Sequence, residues 1–156
     1  MISPIPPLDP TIATAKDEEE SPHPPVRAAQ ILLVDDQPSI LFVARSYLEM
    51  LGFRCDTAKN GAEAVKKVVE EPFSLMLIDL QMPVMDGLEA TRRIRMREDA
   101  ERLPRMPIIG MTAYPFEGNR ERCIEVGMDD FVTKPFEPAD LKSILFFHLG
   151  DADASQ

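Results

Sequence analysis

Four unbroken apolar runs punctuate the chain, and each ends abruptly in polar residues: Ile31-Leu32-Leu33-Val34 in Asp35-Asp36, Leu75-Met76-Leu77-Ile78 in Asp79, Pro107 to Met111 in Thr112, and the short Phe131-Val132 in Thr133-Lys134. A run without polar alternation predicts a strand buried on both faces, as in a parallel sheet. Residues 53–58 alternate instead, which suits an edge strand. Between these runs the apolar spacing is helical. Ile40, Ala44, Tyr47, Leu48 and Leu51 mark a helix from Pro38, with Asp36 placed to cap it and Gly52 to stop it. Residues 61–70 predict a second helix with Ala62, Val65 and Val69 inward, closed by Pro72. Leu88, Thr91 and Ile94 mark a third, whose outer face is Arg92, Arg93, Arg95 and Arg97. A fourth runs from about Glu117 to Val126 and stops at Gly127; Leu141, Ile144, Leu145 and Leu149 define a last one, with Phe146 and Phe147 partly exposed.

Strand and helix thus alternate five times, which calls for an α/β fold with a doubly wound parallel sheet covered on both faces and right-handed crossovers. In such sheets ligands bind beyond the carboxyl ends of the strands. Asp35, Asp36, Asp79, Thr112 and Lys134 all fall at that edge. Pro83 and Asp86-Gly87 after the central strand are turn chemistry.

Composition narrows the partners. The 156 residues carry a net charge of -10, which argues against wrapping nucleic acid or binding an anionic membrane. No apolar run approaches the roughly 20 residues of a membrane helix, and the N-terminus lacks a secretion signal, so a cytoplasmic protein is expected. The two cysteines, Cys55 and Cys123, form no metal-ligand or disulfide pattern, which fits a reducing compartment. Residues 1–29 hold seven prolines around the acidic run Asp17-Glu18-Glu19-Glu20 and read as a disordered Pro-rich acidic tail or linker. A Pro-rich docking peptide is the less favoured alternative. Residues 30–149 then form the folded domain and 150–156 a second tail.

Three carboxylates held together repel one another and need a cation or a bound proton at neutral pH. Mg²⁺ suits them because it takes hard oxygen ligands, and neither His nor Cys is nearby to favour zinc. An aspartate with metal, lysine and hydroxyl around it is equipped to accept a phosphoryl group. Singly, each residue has a plainer reading: Asp35-Asp36 as a helix cap, Asp79 as a turn residue, Thr112 and Lys134 as strand-end polar groups.

The matched stretches Leu33-Val34-Asp35-Asp36, Asp79 with Met82-Pro83-Val84-Met85-Asp86-Gly87, Met111-Thr112-Ala113, and Asp130-Phe131-Val132-Thr133-Lys134-Pro135 together resemble the receiver domain of two-component response regulators, of the CheY-like superfamily. The resemblance covers Gln30 to about Leu149. It implies a (βα)5 flavodoxin-like sheet of order 2-1-3-4-5, phosphorylation of Asp79 by a histidine kinase's phosphohistidine, and Mg²⁺ held by Asp36, Asp79, Asp35 through water, and the backbone carbonyl of Gln81. It further implies that Lys134 pairs with the aspartate, that Lys134-Pro135 is cis, and that Thr112 and Phe131 form a switch acting on the fourth helix, fifth strand and last helix. Gln81 and Tyr114 occupy positions that tune phosphate lifetime. The stretch from Thr112 to Asp130 is similar to receivers of hybrid histidine kinases, which relay phosphate to a phosphotransfer protein. Two other readings compete. A haloacid-dehalogenase-type phosphatase needs a second acid where this chain has Gln81, and a non-phosphorylated interaction module would usually have lost the acids or the lysine, which are all retained.

Overall fold

The computed structural model describes residues 29–114 and 117–150. The tails expected over 1–29 and 150–156 lie outside it, apart from Ala29 and Gly150. The elements follow one another as β1 (Gln30–Val34), α1 (Pro38–Met50), β2 (Arg54–Ala58), α2 (Gly61–Glu70), β3 (Leu75–Asp79), α3 (Gly87–Glu101), β4 (Ile108–Thr112), α4 (Glu117–Val126), β5 (Asp130–Thr133) and α5 (Pro138–Leu149). All five strands are parallel, in the order β2-β1-β3-β4-β5.

The parity of each apolar run decides which face its side chains fill, because successive strand residues point to opposite sides. Ile31, Leu33, Leu75, Leu77, Ile109 and Met111 pack beneath Ala44 and Leu48 of α1 and Leu141 and Leu145 of α5. Their neighbours Leu32, Val34, Met76, Ile78 and Ile108 pack against Ala64 of α2, Ala90 and Ile94 of α3 and Cys123 of α4. Each such buried aliphatic side chain contributes about 1.5–3 kcal/mol, so the three central strands anchor both layers.

Three local expectations are corrected. Asp36 does not cap α1: Gln37 is the N-cap residue without a side-chain bond, and Pro38 opens the helix, where a missing amide proton costs nothing. On α2, Val65 packs inward as expected, but Val69 is 53% exposed, and Ala64 and Val68 take the inward positions beside Val65. Arg95 does not belong to the outer face of α3. Its guanidinium is buried, donating to Glu98, Asp129 and the carbonyls of Met106 and Gly127.

The β3–α3 loop holds a strained residue. Met85 N donates to the Pro83 carbonyl at 2.8 Å, closing a three-residue turn about Val84, whose φ is 73°. A β-branched residue pays steric strain in that region, and Val84 is 83% exposed, so it has little packing to offset it. Val84→Asn is expected to raise unfolding stability by about 1 kcal/mol, read from the urea midpoint at unchanged m-value.

Candidate functional site

The carboxyl ends of β1, β3, β4 and β5 bring the expected polar residues into one cleft of about 470 Å³, lined by Asp36, Asp79, Gln81, Thr112, Tyr114 and Lys134 among others. Asp35, Asp36 and Asp79 each offer a carboxylate oxygen, and these oxygens lie within 4.8 Å of one another. Asp35 is fully buried and Asp36 exposed. Both oxygens of Asp35 are engaged: Oδ1 accepts from Gln37 N at 2.9 Å and Oδ2 from Lys134 Nζ at 2.8 Å. Asp79, at the end of β3, meets Lys134 Nζ at 3.3 Å and receives only a long bond, 3.4 Å, from Gln81 N.

Lys134 therefore stands between two carboxylates, nearer Asp35 than the aspartate with which the resemblance pairs it. It arrives there because β5 lies beside β4, where Lys134 N donates to the Thr112 carbonyl at 2.7 Å; the Lys134–Pro135 peptide is cis, as the resemblance implies. Burial raises the Asp79 carboxyl above the ordinary carboxylate range and the Asp35 charge adds to this; the Lys134 ammonium and Gln81 amide only partly oppose them. Burial pulls Lys134 the other way from its carboxylate partners. The Asp35 hydrogen bond and the two negative charges prevail and hold it above its ordinary value.

The Thr112 hydroxyl is nearly buried and accepts from Tyr114 N at 2.9 Å, so its own proton is free for an acceptor in the cleft. Tyr114 and Gln81 are exposed at the rim. Phe131 is half-buried on β5, with the Arg120 guanidinium 5.7 Å from its ring centroid. Sequence reading did not find that contact, since Arg120 sits in a helix with no regular apolar stripe.

Gly87 was legible only as turn chemistry. In the structure it is the first residue of α3, and a Cβ there would collide with the backbone carbonyl of Asp79. Gly61 is similar: its amide donates to the Met85 carbonyl at 2.8 Å, which a Cβ would press against. The two glycines let α3 and the β3–α3 loop close against the site strand; neither has the positive φ that a turn glycine would show. Asp86 caps α3, accepting from Glu89 N.

A set of hard carboxylate oxygens, with no His or Cys ligand among them, fits a divalent cation such as Mg²⁺, which tolerates water in its remaining positions. With Lys134 as their one cationic partner among the described residues, the three carboxylates are left short of two positive charges, which one divalent cation supplies. The site thus lies where doubly wound parallel sheets bind their ligands, beyond the carboxyl ends of the strands. The sequence profile described as "Response regulator receiver domain" matches residues 31–146, and the chain belongs to that family. It is 34% identical over 134 residues to hybrid signal transduction histidine kinase L of Dictyostelium discoideum, covering 84% of this chain and 8% of that protein. It is 41% identical over 112 residues to the transcriptional regulatory protein ResD of Bacillus subtilis, covering 72% and 44%. The chain spans less than half the length of these curated relatives. Among solved structures it resembles the receiver domain of a sensor histidine kinase from Pseudomonas aeruginosa with a magnesium ion in its active-site cleft (38% identity, 79% of this chain and 98% of that one, TM-score 0.71). It also resembles the co-crystal of the Saccharomyces cerevisiae phosphotransfer protein Ypd1 with the receiver of Ssk1 (27% identity, 78% and 88%, TM-score 0.74). The expected fold order and receiver class are thus met.

Proposed function

We propose that residues 30–149 act as a phosphoacceptor in which Asp79 takes the phosphoryl group of a histidine kinase or phosphotransfer protein, with Mg²⁺ held by Asp36, Asp79, the backbone carbonyl of Gln81 and, through water, Asp35. The observation that carries this reading is the convergence of Asp79, two further carboxylates, Lys134 and Thr112 at one sheet edge. The cation would neutralise charge developing on the transferred oxygens. An Asp79 oxygen attacks phosphorus as the P–N bond of the donor breaks, and the electron pair leaves on the imidazole nitrogen. Lys134, already 3.3 Å from Asp79 Oδ1, follows the charge onto the phosphoryl oxygens. Asp35, both of whose oxygens are bonded, orients that lysine and supports the cation from behind. The chain thus catalyses its own phosphorylation and dephosphorylation and turns over no separate substrate.

The new group brings about -1.5 to -2 charge. It draws the Thr112 hydroxyl proton inward, which opens room for Phe131 and alters the α4-β5-α5 surface, where Phe147 is 79% exposed. Gln81 and Tyr114 at the rim govern how water reaches the acyl phosphate. A second reading shares the site: similarity to a hybrid histidine kinase supports a relay, in which the phosphoryl group moves on to a phosphotransfer histidine. Among the described residues no helix is long and apolar enough to cross a membrane; the cytoplasm is the compartment proposed from two free cysteines, one half-buried and one buried.

The test is intact mass after incubation with Mg²⁺ and acetyl phosphate. One added phosphoryl group, labile to hydroxylamine, is expected in the native chain and none in Asp79→Asn. The reading fails if neither acetyl phosphate nor a phosphorylated kinase leaves an adduct and beryllofluoride leaves the spectra of Thr112 and Phe131 unchanged.

The same variant carries a stability prediction. Because the folded state raises the Asp79 pKa, its favourable contribution is complete only below the unfolded value of 3.8 and is lost as pH rises through the folded value. At neutral pH its ionised carboxylate is therefore a liability without a cation. Asp79→Asn is expected to melt several degrees higher than the native chain in EDTA at pH 7, and the gap to narrow when Mg²⁺ is added, as followed by circular dichroism.

A further inference from the structure

Among the described residues of α4 two side chains are buried, Asn119 and Cys123, one turn apart on the same face. Cys123 belongs to the apolar layer between helices and sheet. Asn119 stands where a second apolar residue would pack as well, and a buried amide persists only where it is hydrogen-bonded. Its partner is the backbone beside the phosphoacceptor site. Asn119 Nδ2 donates to the Tyr114 carbonyl at 2.6 Å; a carbonyl oxygen can only accept, which fixes the orientation of the amide. Tyr114 N in turn donates to the Thr112 hydroxyl at 2.9 Å, and the Thr112 carbonyl accepts from Lys134 N at 2.7 Å. Tyr114 thus bridges the hydroxyl at the end of β4 and the first turn of α4. The next residue of the helix, Arg120, places its guanidinium 5.7 Å from the Phe131 ring centroid. Adjacent positions on one helix therefore hold both switch residues, Thr112 through Tyr114 and Phe131 directly.

We propose that Asn119 is a positioning residue that couples Asp79 to α4: its amide grips the Tyr114 carbonyl, so that movement of the Thr112 hydroxyl is carried through Tyr114 into the first turn of the helix. The inference rests on the phosphoacceptor reading above and adds to it the contact through which α4 responds.

The Thr112 hydroxyl accepts from Tyr114 N while its own proton is free for the cleft. A phosphoryl oxygen on Asp79 is a charged acceptor, stronger than a neutral one. Rotation of the hydroxyl toward it withdraws Thr112 Oγ1 from the Tyr114 amide, which must then follow the oxygen or lose its partner. The Tyr114 side chain is exposed and offers little packing to hold the backbone where it was. The Asn119 bond does hold it, and because its donor is buried, exchanging that bond for water is costly. A displaced Tyr114 therefore carries Asn119 and the first turn of α4 with it. Arg120, one residue on, then shifts relative to Phe131, so the helix senses both parts of the switch. An apolar side chain at position 119 would pack as well and leave α4 indifferent to Tyr114.

The test compares the full native chain with Asn119→Asp and Asn119→Gln. Asn119→Asp keeps the side-chain shape and removes the donor, while its new charge falls in the first turn of α4, where negative charge favours the helix. Asn119→Gln keeps a donor. Amide resonances are recorded with Mg²⁺, with and without beryllofluoride, whose binding is followed separately by its fluorine resonance. In the native chain the Asn119 side-chain amide and the backbone amides of Tyr114 and α4 are expected to shift together as beryllofluoride binds. In Asn119→Asp beryllofluoride still binds and Thr112 still shifts, but the α4 shifts fall at least about twofold, and Asn119→Gln restores part of them. The proposal is overturned if the α4 shifts of Asn119→Asp match the native ones, or if beryllofluoride leaves the native Asn119 side-chain amide unmoved. Should Asn119→Asp unfold, the native amide and Asn119→Gln decide the matter. Failure of the phosphoacceptor reading looks different: no chain shows bound beryllofluoride, which overturns both.

Discussion

Lys134→Met is expected to destabilise the protein by about 3–5 kcal/mol in the absence of divalent cations, and Mg²⁺ to restore more stability to the variant than to the native chain. Asp35 has no exposed surface and Asp79 very little, so the ammonium 2.8 and 3.3 Å away is the charge that makes both tolerable. Without it two buried carboxylates face each other uncompensated. A cation bound to the folded state alone stabilises by mass action, and a site deprived of its lysine gains more from one. Urea titrations with and without Mg²⁺ measure both effects. The pH dependence has a definite sign. The folded state raises the Lys134 pKa, so its contribution is fully present below the ordinary value of 10.5 and is lost as pH rises through the folded value. The gap between native and variant chains should therefore close in strong alkali, where the lysine loses its proton, and also in acid, where the carboxylates it faces gain theirs. An equal response to Mg²⁺ in the two chains would mean that Lys134 and the cation do not share the carboxylates.

Arg95→Met should cost a similar amount, about 3–5 kcal/mol, without touching Asp79. Its guanidinium bonds four groups in three segments: Glu98 of α3, the Met106 carbonyl before β4, and both the Gly127 carbonyl and Asp129 in the α4–β5 connection. Those acids are committed elsewhere too, Glu98 accepting from Met106 N and Asp129 from Ile108 N, both at 2.9 Å. Removing the arginine leaves Glu98, itself buried, with no cation among the described residues, since Arg105 is engaged by Asp129 and the Gly127 carbonyl. Breaking an exposed pair such as Arg93–Glu89 should change stability by no more than about 1 kcal/mol. Chemical denaturation of the two variants side by side separates the cases. If Arg95→Met proved as mild as Arg93→Met, the network would be contributing geometry but little energy.

The placement of Arg95 shows where sequence reading stops. A basic residue in an arginine-rich helix looks solvated, and its neighbours Arg92 and Arg93 are. Arg95 differs because Asp129, 34 residues later, and the Gly127 carbonyl are brought to it by the α4–β5 connection. Asp36 misled in the opposite way. Its position suited a helix cap, yet the chain opens α1 with proline and Asp35 takes the Gln37 amide, which leaves Asp36 exposed at the carboxylate cluster. The exposed Val69 has a tertiary cause as well: α2 leans on Ala64, Val65 and Val68, and an open cavity between the C-terminal ends of α2 and α3 leaves the next position uncovered.

The sequence by itself determined that five strands and five helices alternate, which strands are buried on both faces, and that Asp35, Asp36, Asp79, Thr112 and Lys134 sit at strand ends. Those features are local: a run of apolar side chains states its own burial, and a polar residue ending it states where the strand meets solvent. Only the tertiary structure decided which charges neutralise which. Lys134 meets Asp35 across 99 residues because the strand order β2-β1-β3-β4-β5 brings the carboxyl ends of β1 and β5 to one edge of the sheet. Gly87 likewise owes its identity to a carbonyl eight positions away that only the packing of α3 on β3 brings close. Partners distant in sequence leave no periodic trace in it, and their pairing is fixed by topology.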